Sequence, residues 1–133
     1  MAYLLDTNVI SDLVRNPTGS AAAALDRVGD DNVFTSIIVA GELRFGARNK
    51  GSARMTERVE KALKRIRVVS LEEPADRRYA EIRHELLRRG LPIGANDFLI
   101  AAHALATDSI LVTANQREFS RVPGLRTENW LAH

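Results

Sequence analysis

The chain contains no cysteine. That absence excludes thiolate metal sites and thiol catalysis, and it removes the staples on which small exported domains depend. No apolar run approaches the length of a membrane span, and the N-terminus has no basic region followed by a signal-like apolar core, so a cytoplasmic location is expected. There is no internal repeat and no low-complexity tract. Histidine is scarce as well: His84 and His103 fall inside helical stretches and His133 ends the sequence, none at ligand spacing, so each is assigned a structural or surface role.

What remains is the balance of a folded domain. The 133 residues are 45% hydrophobic and 27% charged, which fits one domain over residues 1–133, long enough to bury about two-thirds of its unfolded surface. The net charge of +2 is unevenly spread. Between Arg44 and Arg67 stand nine basic residues against Glu57 and Glu60, while acids dominate Asp30–Asp31 and Glu72–Glu73. A flank carrying Arg44, Arg48, Arg54 and Arg58 suits phosphate contacts, although a solvated helix face has the same composition.

Apolar periodicity orders the chain. Tyr3-Leu4-Leu5 reads as a buried strand that ends at Asp6 and runs into a helix opening near Asn8, with Thr7 and Asn8 as cap types. Ala21–Val28 reads as a short helix ending at Gly29. Asn32–Ile38 reads as a second strand, with Ser36 capping a helix that carries Glu42. Ser52–Arg65 is amphipathic, with Met55, Val59 and Leu63 on its apolar stripe. Val68, Val69 and Leu71 make a third strand, and Pro74 stands in the first turn of the next helix, which Gly90 ends. The loop LPIGA leads to a helix opening at Asn96 and Asp97 that is apolar nearly all round. Asp97 at its positive end should favour the ionised form. Ile110–Thr113 is a fourth strand, Ala114–Ser120 a short helix or loop, and Leu125–Trp130 an edge strand. Strands alternating with helices predict an α/β fold: one small parallel sheet of four to five strands sandwiched between helices.

In such a sheet, ligands bind where the carboxyl ends of central strands open. Asp6, Glu42 and Asp97 could converge there, accompanied by Thr7, Asn8, Ser36, Thr113 and Asn115. Thr7, Ser36 and Thr113 could position water or a phosphate, or could cap helices and turns. Asp6 alone could be nothing more than a helix cap. Together, though, clustered carboxylates repel one another unless a cation is present, and an all-oxygen set favours a hard ion, Mg²⁺ or Mn²⁺, over Zn²⁺.

The segments LLDTNVIS, TSIIVAGELRFGA around Glu42, ANDFLIAAHAL around Asp97 and LVTANQREFSRVPGLRTENW resemble the PIN-domain ribonucleases, specifically VapC-type toxins of bacterial toxin–antitoxin pairs, nearly end to end. The resemblance implies a Mg²⁺- or Mn²⁺-dependent endoribonuclease, a VapB-type antitoxin as partner, a homodimer, and tRNA, initiator tRNA among the candidates, as substrate. Asp6 and Asp97 would bind the principal ion, with Glu42 supporting it directly or through water. Hydrolysis by activated water needs no side-chain nucleophile and leaves 5′-phosphate and 3′-hydroxyl ends. Met55, Val59 and Tyr79 are candidates for the apolar dimer contact. At the fourth acidic position, where relatives often carry Asp, this chain offers Asn115 and Glu118; Glu118 is preferred as an outer ligand, against the alternative that it forms a capping box with Asn115.

Two other classes compete. A metal-dependent phosphatase of the haloacid dehalogenase type also has Asp after its first strand, but it needs a second Asp at position 8, which is Asn here. A catalytically inactive RNA-binding module would act through the basic flank alone.

Overall fold

The computed structural model describes residues 1–131. Its strands are β1 (Tyr3–Leu5), β2 (Val33–Ser36), β3 (Val68–Val69), β4 (Ile110–Val112) and β5 (Thr127–Glu128). Between them run α1 (Thr7–Arg15), α2 (Ser20–Val28), α3 (Ile37–Lys50), α4 (Ala53–Arg65), α5 (Ala75–Arg88), α6 (Ala95–Ala106) and the single turn α7 (Gln116–Phe119). The strands form one sheet in the order β3-β2-β1-β4-β5, with every neighbouring pair parallel. Successive strand residues point to opposite faces, and Leu4 with Leu5, like Leu111 with Val112, are fully buried, so both faces are covered.

β1 and β2 are followed by elements that continue toward β3, whereas β4 and β5 extend the sheet on the other side of β1. The reversal of strand order therefore lies between β1 and β4, and the crevice beyond their carboxyl ends is where a parallel α/β sheet binds its ligand. Asp6 leaves β1 and Thr113 leaves β4 at this point, stitched by the Asp6 N–H donating to the Val112 carbonyl at 2.9 Å.

Local chemistry sets most element ends. Ser36 Oγ accepts the Ile38 N–H and caps α3, and Gly51, at φ +64°, closes it in a left-handed conformation that glycine adopts without strain. Ser52 caps α4 through the Met55 N–H. Several expected boundaries shift. α1 opens at Thr7, one residue early, because Asp6 itself is the cap. A single 3₁₀ turn over Asp30–Asn32, unsignalled by any apolar period, precedes β2. Leu71 lies outside β3, which is cut to two residues at the sheet edge, and Pro74 occupies the cap of α5 instead of its first turn. His133 lies outside the described residues.

The expected dimer triplet does not form one surface. Val59 is 4% exposed and belongs to the core; with half-buried Met55 it faces α1 and α3, whereas Tyr79 packs edge-on against Phe98 with the Arg83 guanidinium over its ring. The amphipathic stripe of α4 reads identically whether it covers its own core or a second copy.

Candidate active site

Four acids from four separated segments meet beyond the ends of β1 and β4. Asp6 is buried. Its Oδ1 accepts the Thr7 N–H at 2.8 Å, and its Oδ2 accepts the Thr113 hydroxyl at 2.8 Å. Capping a helix and serving the site are thus one role for this side chain. Glu42, on α3, is held at both oxygens: the Thr7 hydroxyl donates to Oε1 at 2.6 Å and Asn96 Nδ2 to Oε2 at 3.1 Å. Glu118 accepts the Gly94 N–H at 3.1 Å and Asn115 Nδ2 at 2.9 Å. The capping-box alternative is not what the geometry shows. The Asn115 N–H goes to Thr113 Oγ1, and Glu118 reaches across to the residue that caps α6.

Asp97 sits in the first turn of α6 and receives no hydrogen bond among the described residues. Its pKa is raised to about 6, first by desolvation and then by the charges of Asp6, Glu118 and Glu42. Burial and three like charges work against the ionised form that the helix N-terminus is expected to favour. Asp6 is also raised, chiefly by burial, against the lowering effect of its Thr113 and Thr7 hydrogen bonds.

The supporting residues divide. Thr7, Thr113 and Asn115 bind the acids directly. Asn8 Oδ1 accepts the Ala114 N–H and so joins α1 to the segment after β4. Ser36 is fully buried and directed inward, capping α3 and meeting His103 Nδ1 at 2.9 Å, so it does not join the acids. Burial lowers the His103 pKa and makes this a structural, neutral imidazole. Asn96 is the partner that sequence reading missed as a site residue; its signal was adjacency to Asp97 at the opening of α6.

Of the basic candidates, Arg44 forms a two-pronged pair with Glu60 of α4, at 2.9 and 3.0 Å, which raises its own pKa and lowers that of Glu60. It braces α3 on α4 and is not a free phosphate ligand. Arg48, Arg54 and Arg58 are exposed and make no ion pair among the described residues.

The donor set fits a divalent cation in kind: oxygen ligands only, and enough unbalanced negative charge beside a buried carboxyl to help hold Asp97 at about 6. Among the described residues, no three acidic or imidazole groups stand at metal-ligand spacing. Asp6, Glu42 and Glu118 each direct both oxygens to protein donors.

A parallel five-stranded sheet with acids gathered at its β1–β4 crevice defines a nuclease-like α/β domain. Residues 3–125 match the PIN domain, and the chain belongs to that family and to its VapC ribonuclease branch. It is 36% identical to ribonuclease VapC2 of Rickettsia felis, covering 98% of each chain, and 35% identical to the tRNA(fMet)-specific endonuclease VapC of Shigella flexneri over the same shares. The crystal structure of VapBC2 from Rickettsia felis bound to a promoter DNA fragment superposes with a TM-score of 0.90 at 34% identity, covering 98% of this chain and 99% of that one. No helix of the described residues is long and apolar enough to cross a membrane.

Proposed function

We propose that this protein is a divalent-metal-dependent endoribonuclease toxin of a VapBC-type toxin–antitoxin pair, acting in the cytoplasm on tRNA, with initiator tRNA the first substrate to test. The observation that carries the reading is the convergence of Asp6, Glu42, Asp97 and Glu118, with Asp97 pushed to about 6 by burial and its neighbours. Relatives named as ribonuclease VapC and as a tRNA(fMet)-specific endonuclease, similar over nearly the whole chain, support the substrate class.

Asp6 and Asp97 would hold the principal ion and Glu42 would support it. Mg²⁺ or Mn²⁺ bound there supplies charge stabilisation for the attacked phosphate and water reactive at neutral pH. Thr113 fixes the buried Asp6 carboxylate. Thr7 and Asn96 fix Glu42 from two sides, which aligns it with the crevice. Glu118, held by Asn115 and the Gly94 N–H, would be an outer ligand beside Asp97. The water oxygen bonds to phosphorus and gives up a proton to solvent, the bond to the 3′ oxygen breaks, and that oxygen takes up a proton from solvent, leaving 5′-phosphate and 3′-hydroxyl ends without any part for the 2′-hydroxyl.

A partner fits beside the site. A trough between α1, α3 and α4 begins at Thr7 and Glu42 and continues over Val14, Ala47, Met55 and Val59. It shares Val14 and Arg15 with a larger hollow of about 590 Å³ walled by Arg58, Lys61 and Arg65. An antitoxin segment with apolar anchors, acids for the basic wall and an Arg or Lys entering among the carboxylates would fill both. The homodimer is proposed on family grounds and is tested by mass in solution.

Purified protein incubated with initiator tRNA and Mn²⁺ should cut it, and EDTA or Asp97→Asn should stop the cutting. Cleavage that persists in EDTA overturns the reading. Binding without cleavage in any divalent ion would instead make the protein an inactive RNA-binding module.

A further inference from the structure

Phe45 is 69% exposed and Ile37 49%, and Phe45 is the most exposed large apolar side chain among the described residues. They stand on one face of α3, two turns apart with Gly41 between them. A Cβ added at Gly41 would meet nothing within 4 Å, so the helix is bare there. With Ile38, these residues floor an open hollow of about 590 Å³ whose remaining walls are Glu42 and Asn96. The hollow therefore shares its rim with the acidic cluster, since Glu42 is a member of that cluster and Asn96 its hydrogen-bond partner.

Resting on the ribonuclease reading above, we propose that Phe45 is a stacking platform for one nucleobase of the RNA next to the scissile phosphate, and that it sets substrate affinity at this site. A phosphate placed among the acids has its neighbouring nucleotide within reach of this hollow. The floor is apolar, which suits a neutral, flat base. Arg48, one turn beyond Phe45, is exposed and makes no ion pair among the described residues, so it is available for the phosphate that follows the stacked base. Aromatic faces bind unstacked bases of single-stranded or looped RNA in a sequence-tolerant way. A second copy of the chain is the competing occupant. The hollow's rim of Glu42 and Asn96 joins it to the acids, which favours the nucleotide beside the cleaved bond as occupant.

The test compares Phe45→Ala, Phe45→Leu and Phe45→Trp with the unaltered protein, using a fluorescein-labelled short single-stranded RNA for binding in EDTA and initiator tRNA with Mn²⁺ for cleavage. Phe45→Ala and Phe45→Leu should each weaken binding about tenfold and raise KM in proportion, with kcat at saturating RNA little changed. Phe45→Trp should keep affinity, and RNA should quench its indole emission, whereas buried Trp130 in the unaltered protein should not respond. Full affinity in Phe45→Leu, or unchanged KM in Phe45→Ala, overturns the platform while leaving the ribonuclease reading intact. A drop in solution mass on Phe45→Ala with unchanged RNA affinity assigns the patch to a second copy and overturns it too. If the unaltered protein neither binds nor cuts RNA, both proposals fall together.

Discussion

Glu118 Oε1 accepts the Gly94 N–H at 3.1 Å, so the single-turn α7 is tied to the start of the helix that carries Asp97. Glu118→Gln keeps an oxygen for Gly94 and removes only the charge. The variant should fold normally, lose roughly tenfold or more in cleavage and need more Mn²⁺, the scale seen when outer-sphere partners are removed. Asn115→Ala should lose less. A Mn²⁺ titration of both settles the order, and an active Glu118→Gln beside an inactive Asn115→Ala reverses it.

The Asp97 carboxyl holds its proton more tightly in the folded chain than in the unfolded one, about 6 against 3.8. Without divalent ions, its contribution to stability should therefore fall as pH rises from about 4 to 6 and remain unfavourable above that. After allowance for solvent screening the loss is about 1–2 kcal/mol. His103 works in the opposite sense: its lowered pKa costs stability as pH falls through 6.5. Comparing urea midpoints of the unaltered protein and Asp97→Asn in EDTA at pH 5 and 7.5 isolates the first effect. The variant should be the more stable at pH 7.5, with the gap closing at pH 5.

Divalent ions should invert that ranking. At pH 7.5, Mn²⁺ should raise the Tm of the unaltered protein by mass action and leave Asp97→Asn nearly unmoved. Equal Tm shifts in both would remove Asp97 from the ion's ligands.

Thr113→Val preserves shape but strips the buried Asp6 oxygen of its hydroxyl donor and the Asn115 N–H of its acceptor. A loss of about 1–3 kcal/mol in stability is expected, together with most of the activity. Thr113→Ser should recover both, and an inactive, stable Thr113→Ser would show that the methyl group matters instead.

Neutralising Arg48 and Arg54 should weaken RNA binding and flatten its salt dependence by about one unit of log slope for each phosphate left unpaired. Arg44→Ala should leave the slope unchanged, because that guanidinium is already held by Glu60. Filter binding across a salt series distinguishes the two outcomes.

Much of this architecture was legible because the signals were redundant. Tyr3-Leu4-Leu5 is apolar, short and followed at once by cap residues, and Ser36 stands where a strand-to-helix cap must. Asp6 follows a strand, Asp97 opens a helix and Glu42 lies about a turn into another, so topology could bring them to one sheet end and the family resemblance singled them out. What stayed hidden depends on distance through space. That Arg44 is committed to Glu60 is a fact about two helices whose paired residues lie 16 positions apart in the chain. The Asp97 pKa depends on burial and on acids brought from three other segments, none of which the dipole of its own helix reveals. Val59 and Tyr79 share an apolar character but not a direction.

The pairing of β1 with β4 joins residues 3–5 to residues 110–112, and the last acid of the cluster follows at Glu118. Synthesis runs from the N-terminus, so a nascent chain carries Asp6 almost from the start yet has only part of its cluster to place beside it until most of the polypeptide exists. Non-local closure of this kind comes late in folding. An active site assembled from both ends of the chain thus stays incomplete through most of its own translation.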